Sequence, residues 1–163
     1  MSIVYRNAVP ADAADCLDLR GRTRENAFSA AELAALGITV ESWQAGIADG
    51  TLPGHVATVD GRVVGYCFGD RDSGEIVVLA LLPDWEAKGI GARLLARMVE
   101  DFRGWGFQRL FLGCAADPAA RSHGFYRYLG WRPTGEIDGL GDEVLEYHLP
   151  QAATAPAAGS VQG

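Results

Sequence analysis

A chain of 163 residues, 48% hydrophobic and 21% charged, carries enough apolar material for one soluble domain. Its formal net charge of −7 argues against a nonspecific nucleic-acid binder, which needs a basic surface to displace counterions. The longest apolar run, Ile76 to Leu82, is too short to span a membrane.

The first residues show no basic stretch followed by an apolar block, so a cytoplasmic protein is expected. Cys16, Cys67 and Cys114 are odd in number and lack CxxC spacing, so neither a disulfide framework nor a metal site is expected. An acidic surface is compatible with cationic substrates, although acidity also serves solubility.

The alternation in "IVYRNAV" predicts a first strand. "PADAADCLDLRGR" then predicts a short helix, with Asp12 as N-cap and first-turn acid. Ser29 and Glu32 form an S-x-x-E capping box for a second helix, stopped at Gly37. A third is capped by Thr39 and ends at Gly50. "HVATVDGRVVGYCFGDR" reads as a hairpin turning at Asp60-Gly61.

"EIVVLALL" is apolar on both faces and predicts a central strand covered on both sides. The helix that follows, about Lys88 to Phe102, aligns Ile90, Leu94, Leu95, Met98, Val99 and Phe102 on one stripe. "RLFLGCA" predicts another buried strand. "DPAARSHGFYRYLG" predicts a helix with Asp117 as N-cap and Pro118 at its first position. "WRPTGEI" and "DEVLEYHL" finish as strands around the turn "DGLG". The fold class is therefore α/β (α+β): a mixed, mostly antiparallel central sheet with helices on both faces. Residues 1–149 form one domain, and the charge-free stretch 150–163 reads as a disordered tail.

The corner "EAKGIG" between the central strand and its helix holds Gly89 and Gly91 where glycine costs roughly 1 kcal/mol against alanine. The first N–H groups of a helix are unpaired and lie at its positive dipole end. Glycines there admit a phosphate to bare backbone, and Lys88 adds a charge. A Walker loop is ruled out because no Lys-Ser or Lys-Thr follows a glycine. A dinucleotide fingerprint is ruled out because residue 94 is Leu. Close helix–strand packing remains the other reading of the two glycines.

The string "LALLPDWEAKGIGARLL", with "GFYRYLGW" some thirty residues later, resembles the GNAT superfamily of acetyl-CoA-dependent N-acetyltransferases. The resemblance spans about residues 3 to 148 and implies acetyl-CoA as cosubstrate, with no metal. It implies that Ala80, Leu81 and Leu82 pair their backbone with the pantetheine arm, in a wedge opening toward "RLFLGCA". Ala87, Lys88, Gly89, Ile90, Gly91 and Ala92 would wrap the pyrophosphate. Tyr126 would protonate the departing thiolate.

Two positions depart from the family pattern. Glu86 replaces the usual Arg or Gln that opens the loop, and is expected to turn toward solvent with Lys88 compensating. Ala119 replaces a frequent asparagine. The base is also open, because neither Gly113 nor Cys114 is the glutamate of some relatives. Glu75 is the candidate base, with Glu143, Glu146 and His123 behind it.

Arg24, Glu25, Asn26 and Trp43 are candidate linings for the acceptor, a primary amine of a small molecule or peptide. The resemblance also implies a possible homodimer. The expected function is acetyl transfer from acetyl-CoA by direct attack. The alternatives are a non-catalytic acyl-CoA-binding or regulatory protein of the same fold, and a nucleotide-binding module.

Overall fold

The computed structural model describes residues 2–23 and 27–149. The expected tail 150–163 and the candidate acceptor residues Arg24, Glu25 and Asn26 lie outside the described residues.

Among the described residues, seven strands form one sheet in the order β1-β2-β3-β4-β5-β7-β6. They are β1 (Ile3–Asn7), β2 (Gly54–Val59), β3 (Arg62–Asp70), β4 (Glu75–Leu81), β5 (Arg109–Cys114), β6 (Arg132–Ile137) and β7 (Glu143–His148). Every neighbouring pair is antiparallel except β4 and β5. Asp60 and Gly61 both take left-handed backbone, at φ 51° and 80°, and close the β2–β3 hairpin as the Asp-Gly pair predicts.

Among the described residues, five helices cover the two faces: α1 (Ala13–Arg20), α2 (Ala30–Ala35), α3 (Val40–Asp49), α4 (Ile90–Gly104) and α5 (Arg121–Tyr128). The α4 stripe Ile90, Leu94, Leu95, Met98 and Phe102 is buried with Ala57, Val64, Cys67 and Ile76 of the sheet. Fully burying each such aliphatic or aromatic side chain stabilises by about 1.5–3 kcal/mol. That gain outweighs the cost of the glycine in the first turn of α4. On the opposite face, Ala13, Cys16, Leu19 and Trp43 pack with Val56, Tyr66, Phe68 and Ala80.

The capping box at Ser29 and the cap at Thr39 form as expected, and Gly50 ends α3 in the left-handed region. Two expected caps are used differently. Asp12 is the third residue of a 3-10 turn, Pro10–Asp12, and its carboxylate accepts from the Val9 N–H and from Arg6 at 2.8 and 2.9 Å. The Arg6 guanidinium holds the Asp12 carboxyl below its ordinary range. Asp117 accepts from the Ala119 N–H at 2.9 Å and caps a turn, so α5 begins only at Arg121, after Ala120. An Asp side chain that bonds two residues ahead stabilises that turn in place of the first helical turn.

The central strand is less covered than its uniform hydrophobicity predicts, with Val77 37% exposed. The cause lies in its two edges. Phe68 pairs with Val78 and Gly69 with Ile76, so Val77 is an extra residue bulged out of the β3–β4 ladder. A bulge bends a strand and increases its twist. On its other edge β4 pairs with β5 only at Glu75↔Phe111. Beyond that pair the two strands part, while β5 stays paired along its whole length to β7 on its other edge.

Candidate active site

The parting of β4 and β5 opens a cavity of about 550 Å³ that reaches both faces of the sheet. On the α4 side it is lined by Leu79 and Leu81, by Gly89 and Gly91 of the corner, and by Phe125 and Tyr126 of α5. On the α1 side it is lined by Arg20, Phe28, Leu33, Trp43 and Tyr66, and at the β6–β7 turn by Leu140 and Asp142. The unpaired edge of β4 along this wedge offers backbone groups to an extended ligand, as an open sheet edge offers them to an added strand.

The corner is built by backbone conformation. Ala87 at φ 60° and Gly89 at φ 82° are both left-handed, separated by Lys88. Turns of this kind gather N–H groups on one concave side and bind anions. Among the described residues, Arg93 is the first N–H of the helix start that bonds back, to Gly89 O at 3.1 Å. The N–H groups of Ala87 to Ala92 accordingly make no backbone bond there, at the positive end of α4.

The two glycines differ. A Cβ on Gly89 would meet nothing within 4 Å, so its requirement is conformational. A Cβ on Gly91 would stand 3.4 Å from Leu81 and 3.5 Å from Phe125, at ordinary van der Waals contact, so packing there leaves room for one. Close helix–strand packing therefore does not by itself require either glycine. A β-branched residue in the left-handed region costs roughly 1–2 kcal/mol. Gly89→Val is expected to weaken coenzyme A binding about tenfold, since 1.4 kcal/mol is tenfold in affinity. Calorimetry against coenzyme A, with a thermal melt to confirm folding, measures it.

Of the residues expected to bind cofactor, Ala80, Leu81, Ala87, Gly89, Gly91 and Ala92 line the cavity. Ile90 is instead a core residue, 1% exposed, and Lys88 is exposed to solvent and off the lining. Leu82 donates its N–H to Val64 O and its carbonyl accepts from Trp85, so its backbone is already engaged. Glu86 was expected to turn to solvent, but it is half-buried and lines the cavity.

Tyr126 is 8% exposed, set edge-on against Phe125 and Trp131 with ring centroids 5.1 and 6.1 Å away. Burial pushes its phenol well above the ordinary tyrosine range, so it stays protonated. The candidate bases separate. Glu75 sits where β4 and β5 still pair, at the closed end of the wedge, and is not a lining residue. Glu143 is bonded at 2.7 Å to Arg127, and Glu146 at 2.7 Å to Arg109. His123 is also off the lining.

Asp142 lines the cavity, a position that strand alternation does not signal because it follows the turn. Its carboxylate makes no hydrogen bond among the described residues, and burial, followed by the charge of Asp138, raises its pKa. Asp138 is held as a turn residue, accepting from the N–H of Leu140 at 2.9 Å and of Asp142 at 3.0 Å. Its other carboxylate oxygen lies 2.6 Å from where a Cβ on Gly113 would stand. The absence of a side chain at Gly113 thus makes room for an acidic turn beside β5. Burial also raises the Glu75 carboxyl, with Asp70 and Asp138 adding to it.

Among the described residues no group of His, Cys, Asp and Glu could hold a metal ion, and no helix is long and apolar enough to cross a membrane. The family model described as the acetyltransferase (GNAT) family matches residues 15–131. No curated protein matches the chain. Among solved structures, the PaiA N-acetyltransferase of Thermoplasma acidophilum in complex with coenzyme A is similar at TM-score 0.77 and 18% identity, over 91% of this chain and 100% of that one. The YncA acetyltransferase of Salmonella typhimurium, solved with its cofactor acetyl-CoA, aligns at TM-score 0.71 and 19% identity, over 97% and 100%. A ribosomal-protein-alanine N-acetyltransferase from Brucella melitensis aligns at 0.70 and 25%, over 90% and 99%.

Proposed function

Because the chain belongs to the acetyltransferase (GNAT) family, we propose that it transfers an acetyl group from acetyl-CoA to a primary amine. The observation that carries this reading is the wedge between β4 and β5, with unpaired amides at one end and Tyr126 on its wall. The N–H groups from Ala87 to Ala92 hold the pyrophosphate. The free edge of β4 near Ala80 and Leu81 orients the pantetheine arm, so that the thioester enters the wedge from the α4 face.

The acceptor enters from the α1 face and must attack as a neutral amine. Asp142 takes the proton, directly or through a water, as the nitrogen–carbon bond forms. The carbon–sulfur bond then breaks, and Tyr126 donates its phenolic proton to the leaving thiolate. Glu75 is the second candidate for the base, its carboxyl raised by burial and by the charges of Asp70 and Asp138. The acid, the base and the acceptor side are thus supplied by different elements that meet only at the wedge.

The test pairs calorimetry against coenzyme A, acetyl-CoA and ATP with thiol release over a panel of amines. Micromolar binding of coenzyme A together with amine-dependent thiol release is expected. Binding without release for any amine would favour a non-catalytic acyl-CoA-binding protein, and binding of ATP alone would sink the transferase reading.

A further inference from the structure

The α1 side of the cavity has a chemical character that its acidic chain does not suggest. Leu17, Phe28, Leu33, Ile38 and Trp43 line it with apolar surface. Among the described residues, Arg20, Thr23 and Tyr66 bring polar groups to that surface. Arg20 stands with its guanidinium carbon 4.6 Å from the centre of the Phe28 ring and donates to the Thr23 hydroxyl at 3.4 Å. These are among the contacts that hold it at the wall.

Tyr66 is 0% exposed, and its hydroxyl has no hydrogen-bond partner. A buried hydroxyl left without a partner is destabilising, so such groups are rare in a settled core. Nothing in the packing of Trp43 and Phe68 around the ring requires the oxygen. Arg20 and Tyr66 line the same cavity.

We propose that the acceptor is a free apolar amino acid, its carboxylate taken by Arg20 and Tyr66 and its side chain lying on Leu33, Ile38 and Trp43. A carboxylate accepts at once from a guanidinium and a phenol, and supplies the partner that the Tyr66 hydroxyl lacks. An apolar side chain matches the remaining wall. A polyamine fits this wall poorly, because among the described residues its second ammonium would meet there apolar side chains and Arg20 rather than a carboxylate. The volume must also hold the thioester, which limits the acceptor to a small molecule.

This inference rests on the transferase reading for the identity of the site, but it is tested by binding as well as turnover. Calorimetry on the coenzyme A-loaded protein would compare leucine and phenylalanine with isoamylamine and phenethylamine, which lack the carboxylate, and with spermidine. Thiol release with acetyl-CoA would be run on the same set.

The amino acids are expected to bind at least tenfold more tightly than the decarboxylated amines. Tyr66→Phe and Arg20→Gln are each expected to raise the amino-acid Kd and KM about tenfold while leaving the coenzyme A Kd within twofold. Tyr66→Phe should also keep or raise the melting temperature, which a structural role for the hydroxyl would not allow. Equal or tighter binding of the decarboxylated amines, or unchanged amino-acid Kd in both variants, overturns the proposal. Selective amino-acid binding without turnover would support it and sink only the transferase reading.

Discussion

Tyr126→Phe is expected to lower kcat for thiol release by roughly 10²- to 10⁴-fold, the usual contribution of a positioned general acid. The substitution removes one oxygen and keeps the ring set against Phe125 and Trp131, so the core and the coenzyme A Kd should change little. The raised pKa of the phenol does not make it a poor donor here. Burial destabilises the phenolate and also a thiolate formed in the same cavity, so the proton transfer stays matched.

The direction of that shift sets a pH expectation. Deprotonation would remove the acid, and the buried phenol deprotonates only above the ordinary tyrosine value of about 10. The alkaline side of the wild-type profile should therefore show no limb from this group in the ordinary assay range. Coenzyme A binding measured by calorimetry separates loss of chemistry from loss of the site. A kcat within threefold of wild type would remove Tyr126 from the mechanism.

Much of the fold can be read from local chemistry. The capping box at Ser29, the cap at Thr39, the Asp60-Gly61 turn and the α4 stripe are each stabilised by residues within one turn or one strand. Those features survive in the folded chain because no distant contact opposes them. The departures have two causes. Asp12 is spent on Arg6, a choice set by where β1 is placed, and Asp117 on the Ala119 N–H, a local turn that competes with the first helical turn.

The site divides along the same line. The corner is legible because anion binding there needs only consecutive backbone groups, and Tyr126 lies beside its motif. The bulge at Val77 is invisible in a run of apolar residues, since its register is set by pairing with β3. Arg20, Tyr66 and Asp142 share the cavity although they stand far apart in the chain, and their separate patterns read as helix, hairpin and turn. Glu75 looked equivalent to a site residue because it lies on the right strand. Only the single β4–β5 pair shows that it stands at the closed end.

Asp142→Asn is the second large effect, and its pH profile identifies the base. A base must be ionised, and the folded carboxyl has a raised pKa from burial and from Asp138. The acid limb of kcat/KM should therefore sit above the ordinary aspartate value of about 3.9. Asn keeps the shape, cannot accept the proton, and is expected to lower kcat by roughly 10²-fold or more while removing that limb.

Stability should move the other way. A carboxyl whose pKa is raised in the folded protein penalises folding when ionised. That penalty is absent below the ordinary pKa and complete above the raised one. The Asn variant should thus be at least as stable as wild type at neutral pH, and its lost activity cannot then be ascribed to unfolding. Glu75→Gln, compared in the same assay, distinguishes the two carboxylates. If the limb vanishes with Glu75→Gln and persists with Asp142→Asn, the base lies at the closed end of the wedge, and Asp142 only shapes its mouth.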